Sequence, residues 1–260
     1  MNILSKPLVL TIGGFDPSSG AGITADLKVF NELGVYGLSA ASAITAQNSA
    51  AVFDVFTPPA DSFKMQLEVL FKDMLPGVIK VGALSTKDNI SVIKEPLLSL
   101  EKKELVLDPV FRATSGMQLL STEGQQALID DLLPISLIIT PNVDEAEIIS
   151  GIKIESLEAA EKAASIINDL GPKWVVIKGG HHRFDKETVQ DLIFDGVNTT
   201  ILKNEWLDKN VRGTGCLFSA AIAAFLAKGY DELEAIKEAR QFVQMKIKEA
   251  TQIGKGRAQI

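Results

Sequence analysis

Three short runs of this chain are apolar almost throughout, and they restrict what it can fold into: Leu105–Leu107, Leu137–Thr140 and Trp174–Lys178. A strand with one wet face alternates apolar and polar residues. A strand apolar along its length, with helical segments on either side, belongs to a parallel sheet covered by helices on both faces. Further strand candidates are Leu8–Ile12, Ser39–Thr45, Ala51–Thr57, Val78–Val81 and Thr188–Phe194. Helical spacing marks Ile23–Leu33, Pro59–Phe71, Thr86–Leu100, Thr122–Leu132, Leu157–Leu170, Thr214–Lys228 and Asp231–Thr251, with Gly34 stopping the first. With no linker, repeat or low-complexity segment, residues 1–260 read as one α/β domain, a doubly covered, mostly parallel sheet.

Such sheets bind ligands beyond the carboxyl ends of their strands. The residues that follow the strands here are Gly13-Gly14, Gln47-Asn48, Gly82-Ala83, Asp108-Pro109-Val110, Pro141-Asn142 and Gly179-Gly180. The topology predicts that they crowd one edge.

Bulk properties remove several classes of function. The net charge of −7 and the lack of a basic run disfavour nucleic acid as partner. Cys216 is the only cysteine, so no intrachain disulfide forms, which suits a reducing cytosol. The polar opening Met-Asn-Ile-Leu-Ser-Lys-Pro is unlike a signal peptide. No apolar stretch reaches the ~18 residues of a membrane span. Two adjacent histidines, His181 and His182, are the only ones, which argues against a histidine zinc site. Neither a Walker A loop, nor G-x-G-x-x-G, nor a G-x-S-x-G elbow occurs.

Four local patterns carry chemistry. Gly213-Thr214-Gly215-Cys216 leads into the strong helix former Leu217–Leu226. Unbonded N–H groups and a partial positive charge make a helix start a cradle for anions; Thr214 capping a buried helix explains the same residues. Cys216 falls in the first turn, where the helix terminus can lower a thiol pKa, although a lone cysteine is also an ordinary small hydrophobe. Asn142 and Glu145 have capping-box spacing, and equally suit Mg²⁺, which needs few carboxylates; Asp108, at another strand end, could share that metal or simply cap its loop. Lys178 ends a buried strand, where a cation could meet the charge of a transferred phosphoryl group or simply emerge from the sheet.

The ordered set of motifs closely resembles the bacterial hydroxymethylpyrimidine (phosphate) kinases of the ribokinase-like group. It comprises Thr11–Lys28 with its core DPSSGAGITADLK, Ala43–Asn48, Lys80–Gly82, Leu107–Val110, Thr140–Glu147, Lys178–His181, Asp191–Gly196 and Gly213–Cys216, and spans almost the whole chain. The resemblance implies a single-domain ribokinase-like three-layer sandwich and two ATP-dependent steps of thiamine biosynthesis. These phosphorylate 4-amino-5-hydroxymethyl-2-methylpyrimidine and then its monophosphate. It also implies Mg²⁺, a cytoplasmic location and a homodimer. By the same resemblance Gly14, Asp26, Gln47 and Val110 bind the pyrimidine; Gln47 offers a donor and an acceptor to the ring edge. Asn142 and Glu145 match the group's metal/phosphate motif; with the residue-level reading of Lys178 and Asp108, the expectation is that Asn142, Lys178 and Thr214 meet the nucleotide and Asp108 and Glu145 the metal. Gly213, Thr214 and Gly215 form the anion hole, with Cys216 where sugar kinases of the group carry an aspartate base. Departures from the family pattern are Ala83 for a frequent Met, the run Phe111–Met117, Leu217 for a Thr, and Val211-Arg212 for Thr-His, Arg212 being expected to add positive charge near the anion hole. Pyridoxal kinase on the same scaffold and a non-catalytic pyrimidine-binding module are the competing readings.

Overall fold

The computed structural model describes residues 6–100, 104–180 and 188–260. Among these, one sheet runs in the order β3-β2-β1-β4-β5-β6-β7-β8-β9. Its centre is parallel: β2 (Tyr36–Gln47), β1 (Leu8–Phe15), β4 (Val78–Val81), β5 (Glu104–Leu107), β6 (Ile138–Ile139) and β7 (Trp174–Ile177). The two edges are antiparallel, with β3 (Val52–Phe56) at one and β8 (Thr188–Phe194) and β9 (Thr199–Glu205) at the other. Every residue of β4 is buried, as a strand covered on both faces requires.

Two cores account for that burial. On one face α1 (Gly22–Glu32), α7 (Thr214–Ala227) and α8 (Glu232–Glu249) pack over Val9, Val78, Val106 and Val176. On the other, α2 (Ala60–Asp73), α3 (Lys87–Leu98), α4 (Thr122–Ala127), α5 (Val143–Ser150) and α6 (Leu157–Asp169) cover Leu10, Val81, Leu107 and Ile139. Helix α7 is buried on nearly every side from Leu217 to Leu226, because it lies between the sheet, α1 and α8.

The expected elements are present, with three differences. Helix α5 is two turns long, too short to show a period beyond its capping box. Strand β9 is a half-exposed edge whose Thr-Thr-Ile-Leu-Lys-Asn-Glu lacks both a continuous apolar run and clean alternation. The expected helix Thr122–Leu132 changes to a π turn at Leu128–Leu132 and then to a 3₁₀ turn containing Pro134, which has no N–H to continue an α-helical ladder.

One charged pair lies inside this apolar frame. Lys80 of β4 reaches Asp26 of α1 at 2.8 Å, both side chains essentially inaccessible, and Thr11 of β1 donates to the same carboxylate oxygen at 2.5 Å. Burial opposes the lysine's charge, but Asp26, with Asp108 and Cys216 nearby, holds its pKa above the usual lysine value. Removing one member of such a pair strands the other without solvent. Lys80→Met is therefore expected to cost about 3–5 kcal/mol in denaturant unfolding, and Lys80→Met with Asp26→Leu to recover much of it.

Candidate active site

Residues following β1, β2, β4, β5, β6 and β7 line one cavity of about 310 Å³, as the strand-end argument predicts. Gly14, Gln47, Val110, Asp108, Asn142, Glu145, Lys178 and Gly213–Cys216 all face it.

The N-terminal signature loop is built around Asp16. One carboxylate oxygen accepts from the Ser18 N–H (2.8 Å) and hydroxyl (2.7 Å), the other from the Gly20 N–H (3.1 Å) and from Arg212 Nη2 (2.9 Å). Arg212 also donates to Ser18 Oγ (3.0 Å) and to the Asn48 carbonyl (2.5 Å). Its charge is spent joining three loops, so the positive charge expected near the anion hole is already neutralised by Asp16. The loop then lies directly on the turn before α7. A Cβ on Gly213 would stand 2.0 Å from the Gly20 carbonyl oxygen, and Gly213 has φ +78°, so only glycine fits there. Gly22, at φ +59°, approaches the Gly14 carbonyl as closely.

Helix α7 thus begins with Gly213 as N-cap and without a side-chain hydrogen bond to its first N–H groups. Thr214 is the first helical residue rather than the cap, so the turn is not explained by a threonine cap, and no side chain occupies its first amides. Lys178 Nζ lies 3.3 Å from where a Cβ on Gly215 would be, and 2.8 Å from Asp108 Oδ1. Thr140 (3.4 Å) and Ser219 (3.3 Å) also donate to Asp108, one to each oxygen. Burial works against its charge, but Lys178 and Lys80 keep its pKa below the usual carboxylate range.

Asn142 caps α5 in a full capping box: its side chain accepts from the Glu145 N–H at 2.8 Å, and Glu145 accepts from the Asn142 N–H at 2.7 Å. Burial pushes Glu145 up to about 7, with the charge of Asp108 adding to the rise and Lys178 opposing it. Capping and ligand binding are therefore compatible, since the carboxylate remains against the cavity. The Glu145 carboxylate fits Mg²⁺: it supplies hard oxygens, and the repulsion it feels from the Asp108 charge is what a cation relieves. Among the described residues no group of three or more His, Cys, Asp or Glu could cage a metal. Asp108, expected to share that metal or to cap its loop, is bound on both oxygens by protein groups and is a neutralised neighbour more than an open ligand.

Gln47 accepts from Thr45 Oγ1 at 3.0 Å through its Oε1, which orients the amide. A Cβ at Gly14 would meet nothing within 4 Å, so the space over it belongs to the cavity. Asp26 lies apart from its expected partners. It is fully buried and outside the cavity lining, with Oδ2 held by Lys80 and Thr11 and Oδ1 without a protein partner. Lys80 is a cavity side chain to which local reading gave no role, and Arg212, expected beside the anion hole, instead ties the signature loop together. A lysine within the otherwise apolar Val-Ile-Lys-Val was the available signal for the first. His181 and His182 lie outside the described residues.

Comparison with known proteins gives the family. The family model for phosphomethylpyrimidine kinase matches residues 16–260. The chain belongs to the phosphomethylpyrimidine kinase family. A hydroxymethylpyrimidine/phosphomethylpyrimidine kinase of Staphylococcus aureus is 39% identical over 260 residues, 99% of this chain and 94% of its own length. Among solved structures, the phosphomethylpyrimidine kinase of Clostridium difficile superposes with a TM-score of 0.83 at 38% identity, covering 93% of this chain and 100% of that one. A pyridoxal kinase of Staphylococcus aureus in complex with ADP superposes at 0.91 with 36% identity, over 98% and 93%. The ribokinase-like fold and membership of a phosphotransferase family follow. No helix among the described residues is long and apolar enough to cross a membrane.

Within this phosphomethylpyrimidine kinase framework Cys216 departs from the low pKa that a helix start suggests. Burial pushes its thiol up to about 11, against the opposing charge of Lys80 and a hydrogen bond from the Gly22 backbone. Desolvation outweighs the helix terminus. Because the chain has one cysteine, alkylation by iodoacetamide reads this group alone. The expected rate is low at pH 7–8 and climbs tenfold per pH unit toward about pH 11; a plateau below pH 8 would show a thiolate at neutral pH.

Proposed function

We propose that the chain transfers the γ-phosphoryl group of ATP to the hydroxymethyl oxygen of 4-amino-5-hydroxymethyl-2-methylpyrimidine, and then a second phosphoryl group to the resulting monophosphate. The observation that carries the reading is the side-chain-free start of α7 with Lys178 beside Gly215, in the same cavity as Gln47. Gln47 and Asp26 Oδ1 would hold the amine and ring edge, with Gly14 and Val110 against the flat ring. Asn142 and Thr214 would meet the nucleotide phosphates. The acceptor oxygen attacks the γ-phosphorus in line as the bond to the bridging oxygen of ADP breaks, and the hydroxyl proton passes to a phosphate oxygen and on to solvent. Transfer of this kind depends on positioning and charge neutralisation. The amides of Gly213–Cys216 and the Lys178 ammonium supply both where the equatorial oxygens lie. Glu145, with Asp108 behind it, would hold Mg²⁺, which would neutralise part of the phosphate charge.

As a thiol, Cys216 donates a hydrogen bond more readily than it accepts a proton. We assign it to the transferring phosphoryl rather than to the substrate proton. Cys216→Ser, which keeps a donor, should then retain kcat within roughly tenfold, and Cys216→Ala should lose about 10²-fold; equal and severe loss in both would assign it as the base.

The whole chain is read as one cytoplasmic catalytic domain. The exposed Phe53 and Phe56 of β3, with Met65 and Val69 of α2, support a homodimer through that edge. The deciding test is ADP release with Mg²⁺ and three acceptors in parallel: the pyrimidine alcohol, its monophosphate and pyridoxal. The reading expects turnover of both pyrimidines with kcat/KM above that for pyridoxal. A pyridoxal preference would make the chain a pyridoxal kinase, and no ADP with any acceptor would make it a binding module. In the same assay Gly14→Ala, whose methyl enters open cavity, should raise the pyrimidine KM about tenfold, with the melting temperature changed by no more than a few degrees.

A further inference from the structure

Most cations lining the cavity are already neutralised. Lys80, Lys178 and Arg212 each hydrogen-bond a carboxylate, from Asp26, Asp108 and Asp16. Arg240 Nε lies 2.8 Å from Asp191 Oδ2, close but out of hydrogen-bond alignment. Lys209 donates to the Lys248 carbonyl. Among the described residues two cavity cations have neither an ion pair nor a hydrogen bond to their charged group, Arg112 and Arg257. Arg112 is exposed, whereas Arg257 is half-buried and its backbone is fastened on two sides.

The fastening is done by the C-terminal segment Thr251–Ile260, which folds back as a strap. Thr251 and Gln259 exchange backbone hydrogen bonds of 3.1 and 2.9 Å. The Arg257 N–H donates to the Ser49 carbonyl (3.1 Å), and the Gly256 N–H to Ser49 Oγ (3.1 Å). On the other side the Ala258 N–H donates to Asn210 and the Arg212 N–H to Ala258, each at 3.1 Å. The Gly-Lys-Gly-Arg sequence permits this contact: a Cβ on Gly254 would stand 2.3 Å from Ser49 Oγ, and one on Gly256 2.2 Å from the Ser49 carbonyl oxygen. Ser49 follows Gln47 closely in the chain, and Asn210 shortly precedes Gly213. The strap therefore joins the ring-binding side of the cavity to the anion turn, with an unneutralised guanidinium between them.

We propose that Arg257 binds the phosphate of the phosphorylated acceptor, and so sets the preference between the pyrimidine alcohol and its monophosphate. The inference rests on the pyrimidine-kinase reading above. A phosphomonoester at the junction offers the planar guanidinium a paired, charged acceptor. The nucleotide phosphates already have Lys178 and the open amides of α7, and Arg257 is bound instead to the segment that continues from Gln47.

The test compares wild type, Arg257→Ala and Arg257→Lys, each with its melting temperature. The expected result for Arg257→Ala is a fall of at least about tenfold in the ratio of kcat/KM for the monophosphate over that for the alcohol, as loss of a charged hydrogen bond implies. Arg257→Lys, which keeps a point charge, should recover part of that ratio. Calorimetric Kd values for the two pyrimidines should show the same shift in their ratio without turnover. An unchanged ratio overturns the proposal, even if both substrates lose equally. So does a rise in the KM for ATP that exceeds the change in ratio, which would assign Arg257 to the nucleotide. A wild type that binds both pyrimidines but releases no ADP would end the kinase reading alone, leaving the Kd ratio to decide the role of Arg257.

Discussion

The contact of the Gly20 carbonyl with Gly213 holds the site together, because it fixes a loop at the end of the first strand against the start of α7. Two segments distant in sequence meet backbone to backbone with no room for a methyl group. Asp16 and Arg212 secure the junction by a buried ion pair whose remaining lone pairs and donors are satisfied by Ser18, Gly20 and Asn48. A pair this fully bonded offsets much of its desolvation cost. The amides of α7 are thereby held in place before any ligand arrives, which is the preorganisation that stabilises developing charge.

The electrostatics of the cavity follow from the same economy. In a chain of net charge −7 the cavity still holds fixed cations, because Lys80, Lys178 and Arg212 each stand against a carboxylate. Lys178 is shared between Asp108 and the anion turn, so its charge is fixed in direction before the phosphate comes. The raised Glu145 and Cys216 are the other side of this balance: in a dry site, ionisation without a counter-ion is resisted.

The centre of the sheet was legible from sequence because its strands are covered on both faces and read as unbroken apolar runs. The expected bounds Val78–Val81 and Thr188–Phe194 coincide with β4 and β8. The site edge was legible for a topological reason: glycines and polar residues follow each of these strands. Other features depend on contacts between distant segments and have no local signature. Nothing near Asp16 announces that Arg212 completes its hydrogen bonds, and nothing near Asp26 shows that Lys80 covers it. The same is true of Cys216, whose position in the chain points to a lowered pKa while its surroundings raise it. Helix α5 and strand β9 escaped pattern reading because one is two turns long and the other is a half-wet edge.

The account stands on Lys178 and the open turn before α7 acting together on the moving phosphoryl group. Its most direct test is the single-turnover rate of phosphoryl transfer in Lys178→Met, measured at saturating ATP and pyrimidine alongside the melting temperature. The account predicts a folded protein whose transfer rate falls by about 10²-fold or more, the usual cost of removing one preorganised charge from such a site. A folded variant that transfers phosphoryl within about threefold of wild type would contradict it.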